Sequence, residues 1–143
     1  MPPTTTSGVH HVTFPVSDLQ AGISWYERVL EAARIPRLDH HDPSGALFAV
    51  IMRLPGLAVP VQLRIAPAAA DALAGFAPVT LSVPDLSALE QWAGHLDALE
   101  VTRTEIRRAR IGHCLDLRTP DGMNIQLYTE AAGPLETVAF TEG

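Results

Sequence analysis

The spacing of apolar and polar positions divides the chain into two similar halves. Residues 11–16 alternate and are rich in β-branched side chains, which predicts a strand. Ser17-Asp18 supplies a helix cap, with Gln20 at capping-box spacing from Ser17. Leu19, Ile23, Tyr26 and Leu30 then recur at helical spacing, so an amphipathic helix is predicted over about residues 18–33, ended by Pro36. Three strands follow at 37–40, 46–54 and 59–65, separated by the turn sequences Asp42-Pro43-Ser44-Gly45 and Pro55-Gly56. The second half repeats the order. A strand at 80–83 leads through Asp85 to a helix with Leu86, Leu89, Trp92 and Leu96 inward, reaching about residue 99. Strands are predicted at 102–106, 112–118 and 123–129, with Thr119-Pro120-Asp121-Gly122 as the turn between the last two.

The likeness of the halves is written in the residues. At an offset of 67, Val12-Thr13-Phe14-Pro15-Val16-Ser17-Asp18-Leu19 aligns with Val79-Thr80-Leu81-Ser82-Val83-Pro84-Asp85-Leu86, and the match runs on to Trp25 and Trp92. Seven of the fourteen pairs from position 12 to 25 are identical without a gap, which marks a duplication. The expected fold is therefore α+β: two βαβββ modules, at 8–66 and 76–130, in one domain spanning 8–130. The alanine-rich stretch 67–75 is the linker, and 1–7 and 131–143 are tails. A four-stranded sheet with one helix leaves its other face uncovered, so two such sheets are expected to curl into a curved mixed-sheet cleft.

Composition narrows the function. A net charge of −6 argues against nucleic acid or anionic membrane as a partner. No apolar run approaches the ~20 residues of a spanning helix, and Met1 to Gly8 lacks the basic start and apolar core of a signal peptide. The single cysteine, Cys114, excludes an internal disulfide, and a cytoplasmic location is expected.

His10-His11-Val12-Thr13, Val16-Ser17-Asp18-Leu19, the Trp25-Tyr26 helix, the second Val-x-Asp-Leu and Thr119-Pro120-Asp121-Gly122-Met123-Asn124-Ile125-Gln126-Leu127 together resemble the vicinal oxygen chelate superfamily. That superfamily includes glyoxalase I, bleomycin-resistance proteins, fosfomycin-resistance enzymes and extradiol dioxygenases. The resemblance implies four metal-ligand positions, which fall here on His11, Gln62, Pro78 and Gln126. One imidazole, two neutral amides and a proline make a poor set for a dication, which prefers imidazole, thiolate or carboxylate. No metal cofactor is therefore expected. The alternative is zinc, nickel, manganese or iron held by His11, Gln62 and Gln126.

Strand parity extends the expected cleft lining. Thr13 accompanies His11, Arg64 accompanies Gln62, Thr80 follows Pro78, and Tyr128 accompanies Gln126. The central strand of the first module contributes Phe48, Val50 and Met52, or else the opposite parity. His113, beside Cys114, reaches the cleft, whereas His10 turns to the other face, His40-His41 lie in a loop and His95 faces solvent. Cys114 is read as packing, and Arg103, Arg107, Arg108 and Arg110 as a charged edge strand or a rim for anions.

This lining suits an organic molecule of moderate size with carbonyl, hydroxyl or carboxylate groups, and it lacks a carboxylate base. The expected function is sequestration of such a molecule, of the bleomycin-resistance type, by a homodimer. Two alternatives stand beside it. One is a metal-dependent lyase, isomerase or dioxygenase of the glyoxalase type. The other is metal-free acid–base catalysis by His11, His113 or Tyr128.

Overall fold

Asp18 and Asp85 perform the same task at equivalent points of the two halves. Each carboxylate accepts the backbone N–H three residues on, from Ala21 at 3.0 Å and Ala88 at 2.9 Å, and so caps a helix. The helices are α1 (Leu19–Leu30) and α3 (Leu86–Ala98), seen in a computed structural model that describes residues 3–130. The proposed tail at 131–143 lies outside the described residues, as do the first two residues of the tail at 1–7.

The chain divides into two compact units between Ala70 and Asp71. In the first, β1 (Val12–Val16) pairs in parallel with β5 (Val61–Ile65), and β5 pairs antiparallel with β4 (Leu47–Arg53). Two-residue strands β2 (Ala33–Arg34) and β3 (His40–His41) pair with the end and the start of β4 along its edge away from β5. In the second, β6 (Thr80–Val83), β9 (Asn124–Thr129), β8 (His113–Arg118) and β7 (Arg107–Arg108) lie side by side in that order. Both are mixed sheets with one long helix each, an α+β arrangement. The second has the βαβββ order, and the first adds one short strand.

A Cβ on Gly22 would stand 3.1 Å from Cγ1 of Val16 and 3.7 Å from Cδ1 of Leu63, so α1 covers the face that carries those two side chains. The register places Phe14, Val61, Val50 and Met52 on that covered face, and Thr13, Gln62, Arg64, Ile51 and Ala49 on the other. In the second unit, Leu115, Leu117, Ile125 and Leu127 are fully buried and share one face, where α3 contributes Leu89 and Leu96. Thr80, Ser82, Cys114, Asp116, Gln126 and Tyr128 share the opposite face.

Four sequence expectations change. Helix α1 stops at Leu30, because Glu31 takes a left-handed conformation (φ 55°) and the chain leaves the helix before Pro36 is reached. Residues 36–38 form a 3-10 turn rather than a strand, since Pro36 presets its φ and donates no ladder bond. The strand expected at 102–106 is reduced to a single bridge between Arg103 and Leu117, and regular pairing begins at Arg107. Within the expected linker, Pro67–Ala72 form a short helix α2, consistent with proline at a helix start followed by alanines.

Candidate functional site

Thr13 lies opposite Gln62 in the β1–β5 pair, and Thr80 lies opposite Gln126 in the β6–β9 pair. Each threonine hydroxyl donates to the amide oxygen of its glutamine, at 3.0 Å and 3.1 Å respectively. The threonines are 67 residues apart and the glutamines 64, so the duplication has kept the pair through a shortening of three residues. Within each unit, the uncovered sheet face thus carries the same hydroxyl–amide device.

The second unit extends the device into a polar row. Gln126 Nε2 donates to Asp116 Oδ1 at 3.1 Å. An ionised carboxylate only accepts, so this bond fixes the amide with its oxygen toward Thr80. Arg107 approaches Asp116 at 3.4 Å, a long contact, and its other terminal nitrogen donates to Thr104 Oγ1 at 3.1 Å. Asp116 is absent from the expected lining, although the Thr119–Gly122 turn points to it. That turn pairs Arg118 with Asn124 and hence Asp116 with Gln126.

The first unit gathers different chemistry. Between β3 and β4 the register slips, so that Leu47 and Ala49 oppose His41 and His40, and Phe48 is the extra residue of a bulge. A bulge breaks alternation, and Phe48 meets Arg64, whose guanidinium carbon lies 5.1 Å from the ring centroid. The expected grouping of Phe48 with Met52 is therefore corrected. Met52, 0% exposed and opposite Val61, lies under α1 with Val50, and Ile51 and Ala49 take the place by Gln62 and Arg64.

His113 needs the same correction. It shares strand parity with Leu115 and Leu117, the face on which α3 packs, rather than with Gln126. Tyr128 does share the Gln126 face, but its hydroxyl accepts the Ile111 N–H at 3.2 Å and holds the turn between β7 and β8. Gly112 makes this possible, because a Cβ there would run into the Thr129 hydroxyl and the Tyr128 ring.

His11 stands just before β1, exposed, with its Nδ1 3.0 Å from that of His10. The two rings meet edge to face, so strand alternation does not separate them as expected. His40 and His41 form β3 rather than a loop, and His95 packs edge to face on Trp92. Cys114 is buried on the Gln126 face, and burial pushes its thiol pKa up, away from a reactive thiolate. Pro78 is exposed and precedes β6. Among the described residues no three His, Cys, Asp or Glu side chains form a metal-holding group, and no helix is long and apolar enough to cross a membrane.

With this geometry in view, likeness to known proteins is informative. A family model described as Glyoxalase/Bleomycin resistance protein/Dioxygenase superfamily matches residues 8–127. No curated protein matches the chain at a significant level. Among solved structures, a glyoxylase/bleomycin resistance protein/dioxygenase domain from Frankia sp. EAN1pec is 20% identical. It superposes with a TM-score of 0.70 over 93% of this chain and 98% of its own. The fosfomycin resistance protein FosX from Listeria monocytogenes is 17% identical, with a TM-score of 0.68 over 92% and 98%. TnmS3, an antibiotic binding protein from Streptomyces sp. CB03234, is 18% identical, with a TM-score of 0.71 over 90% and 99%. A mutant of FosX has been solved with Mn(II) and 1S,2S-dihydroxypropylphosphonic acid.

Proposed function

The chain belongs to the glyoxalase/bleomycin resistance protein/dioxygenase superfamily, and from that premise we propose that it binds a small organic molecule on its uncovered sheet faces without a metal. The observation that carries this reading is the state of the two glutamines. A glutamine ligates a cation through its amide oxygen, and here each oxygen accepts a threonine hydroxyl. In the second unit the amide nitrogen is engaged as well, by Asp116.

The donor set does not fit a divalent ion of the kind the superfamily implies. Zinc or iron would look for imidazole, thiolate or carboxylate in threes. At the expected ligand positions the first unit offers His11, whose Nδ1 lies 3.0 Å from that of His10, and the buried neutral amide of Gln62. The second offers one carboxylate beside Arg107 and one neutral amide. Hydroxyls, amides and apolar side chains such as Ile51 are instead the lining that holds carbonyl- or hydroxyl-bearing guests. On this reading the protein sequesters its guest, and it does so as a cytoplasmic homodimer.

Native mass spectrometry of protein purified without chelator tests the proposal. The expected result is an organic mass that co-purifies and leaves unchanged on denaturation, with metal far below one equivalent. Stoichiometric zinc, nickel, manganese or iron that disappears in Gln126→Ala would instead establish the metal-dependent enzyme.

A further inference from the structure

We propose that the uncovered face of the first sheet recognises a carboxylate through Arg64, with Gln62 taking a second oxygen of the same molecule. The inference rests on the metal-free binding reading and specifies its ligand as an organic acid.

Arg64 is exposed on β5 and has no carboxylate within ion-pair distance among the described residues. Arg34, Arg103 and Arg107 each have one: Asp39, Asp97 and Asp116. Arg37, Arg53, Arg108 and Arg118 also have no ion-pair partner among the described residues, and what sets Arg64 apart is the aromatic ring it rests on. Its neighbours across the sheet, Pro15 and Ala49, carry no charge to offset it.

The arginine is also held. The β4 bulge turns Phe48 beneath the guanidinium at 5.1 Å, within cation–π range. His40 braces the phenyl ring edge to face at 5.9 Å, and His40 Nδ1 is itself fixed 2.8 Å from the Leu38 carbonyl oxygen. A guanidinium with one side against an aromatic ring keeps its in-plane N–H groups for a bidentate acceptor, which is the geometry of a carboxylate.

Gln62 supplies the second contact. It is 7% exposed, its oxygen is taken by Thr13, and among the described residues no buried side-chain nitrogen or oxygen lacks a partner. No second bond accounts for Nε2, so that nitrogen keeps a small contact with solvent and is left as a donor. Gln62 and Arg64 are two residues apart on one strand, which sets their backbones about 7 Å apart along the same face. Ile51, opposite Gln62 in the register and 9% exposed, adds an apolar side chain beside them. The ligand this arrangement fits is an organic acid with a flat apolar body and an acceptor oxygen remote from its carboxylate.

Calorimetric titration of the full-length protein with 4-hydroxybenzoate and with its methyl ester tests the inference. The acid is expected to bind at least tenfold more tightly than the ester, Arg64→Met to abolish that difference, and Arg64→Lys to restore it only in part. Phe48→Leu should weaken the acid several-fold with unchanged circular dichroism. Equal binding of acid and ester, an Arg64→Met variant that holds the acid as the wild type does, or failure of the acid to bind at all overturns the role of Arg64. Retained binding of the ester in any of these cases leaves the metal-free binding reading standing. Stoichiometric uptake of Mn(II) with no binding of either organic probe defeats that reading, and the inference with it.

Discussion

Gln126 stands between Thr80 and Asp116, taking a hydroxyl hydrogen on its oxygen at 3.1 Å and giving an amide hydrogen to the carboxylate at 3.1 Å. The same position in the first unit, Gln62, has the hydroxyl but no carboxylate beside it in the register, where Ile51 takes the place of Asp116. The duplication has thus preserved one half of the device and varied the other, giving two sheet faces with a common amide and different neighbours.

Replacing Gln126 with glutamate would set two carboxylates side by side. The Gln126→Glu variant is expected to lose about 1–3 kcal/mol of stability at neutral pH, as a donor vanishes and like charges meet. One carboxyl of the new pair should titrate with a raised pKa. A raised folded-state pKa means the folded protein binds more protons, so stability relative to wild type recovers on acidification and falls as pH rises through that pKa. Urea unfolding at pH 5 and pH 8 measures both signs, and a variant as stable as wild type at pH 8 contradicts the assigned contact.

Gly22 tests how closely α1 lies on β1. Alanine would improve helix propensity by roughly 1 kcal/mol. Its Cβ, however, would sit 3.1 Å from Val16 Cγ1, and Val16 is itself buried and has little room to yield. Overpacking of this kind costs about 1–3 kcal/mol, so Gly22→Ala is expected to destabilise by about 1 kcal/mol in urea unfolding. A gain in stability would mean that the helix rides higher on the sheet.

Tyr128 serves structure through its hydroxyl. Tyr128→Phe removes the acceptor of the Ile111 N–H and is expected to cost about 1 kcal/mol. The Ile111 amide should then exchange its hydrogen faster, while amides in the β8–β9 ladder keep their protection. Unchanged exchange at Ile111 would contradict the contact.

Asp97 gives a pH signature remote from either sheet face. The hydrogen bonds from Arg103 hold its carboxyl below the ordinary range. A depressed folded-state pKa contributes stability that is present above the unfolded value and is lost as pH falls below about 4. Carbon-detected titration should show Asp97 returning to the ordinary value in Arg103→Met, and no change there would remove the ion pair from the account.

Much of this was legible in the chain. The two strand–cap–helix beginnings followed from alternation, from Asp18 and Asp85, and from the repeat at offset 67, because these are local signals. Partners across a sheet are not local. Phe48 looked equivalent to Met52 until the bulge opposite His40-His41 turned it to Arg64. His113 shares its face with Leu115 and Leu117, and which face of a strand a helix covers is a tertiary fact that the neighbouring Cys114 does not signal. His10 and His11 were separated by a rule that holds only inside a strand, and the ladder starts at Val12. Asp116 was within reach of turn chemistry, since the hairpin fixes the register that sets it against Gln126.

The most direct test is calorimetric titration of metal-free protein with Zn(II) and Mn(II). Expected ligand positions filled by one imidazole, two neutral amides and a proline predict no stoichiometric binding of either ion, in wild type and in Gln126→Ala alike. One equivalent of Zn(II) or Mn(II) held tightly by the wild type and lost from Gln126→Ala would contradict the claim that these glutamines serve an organic guest.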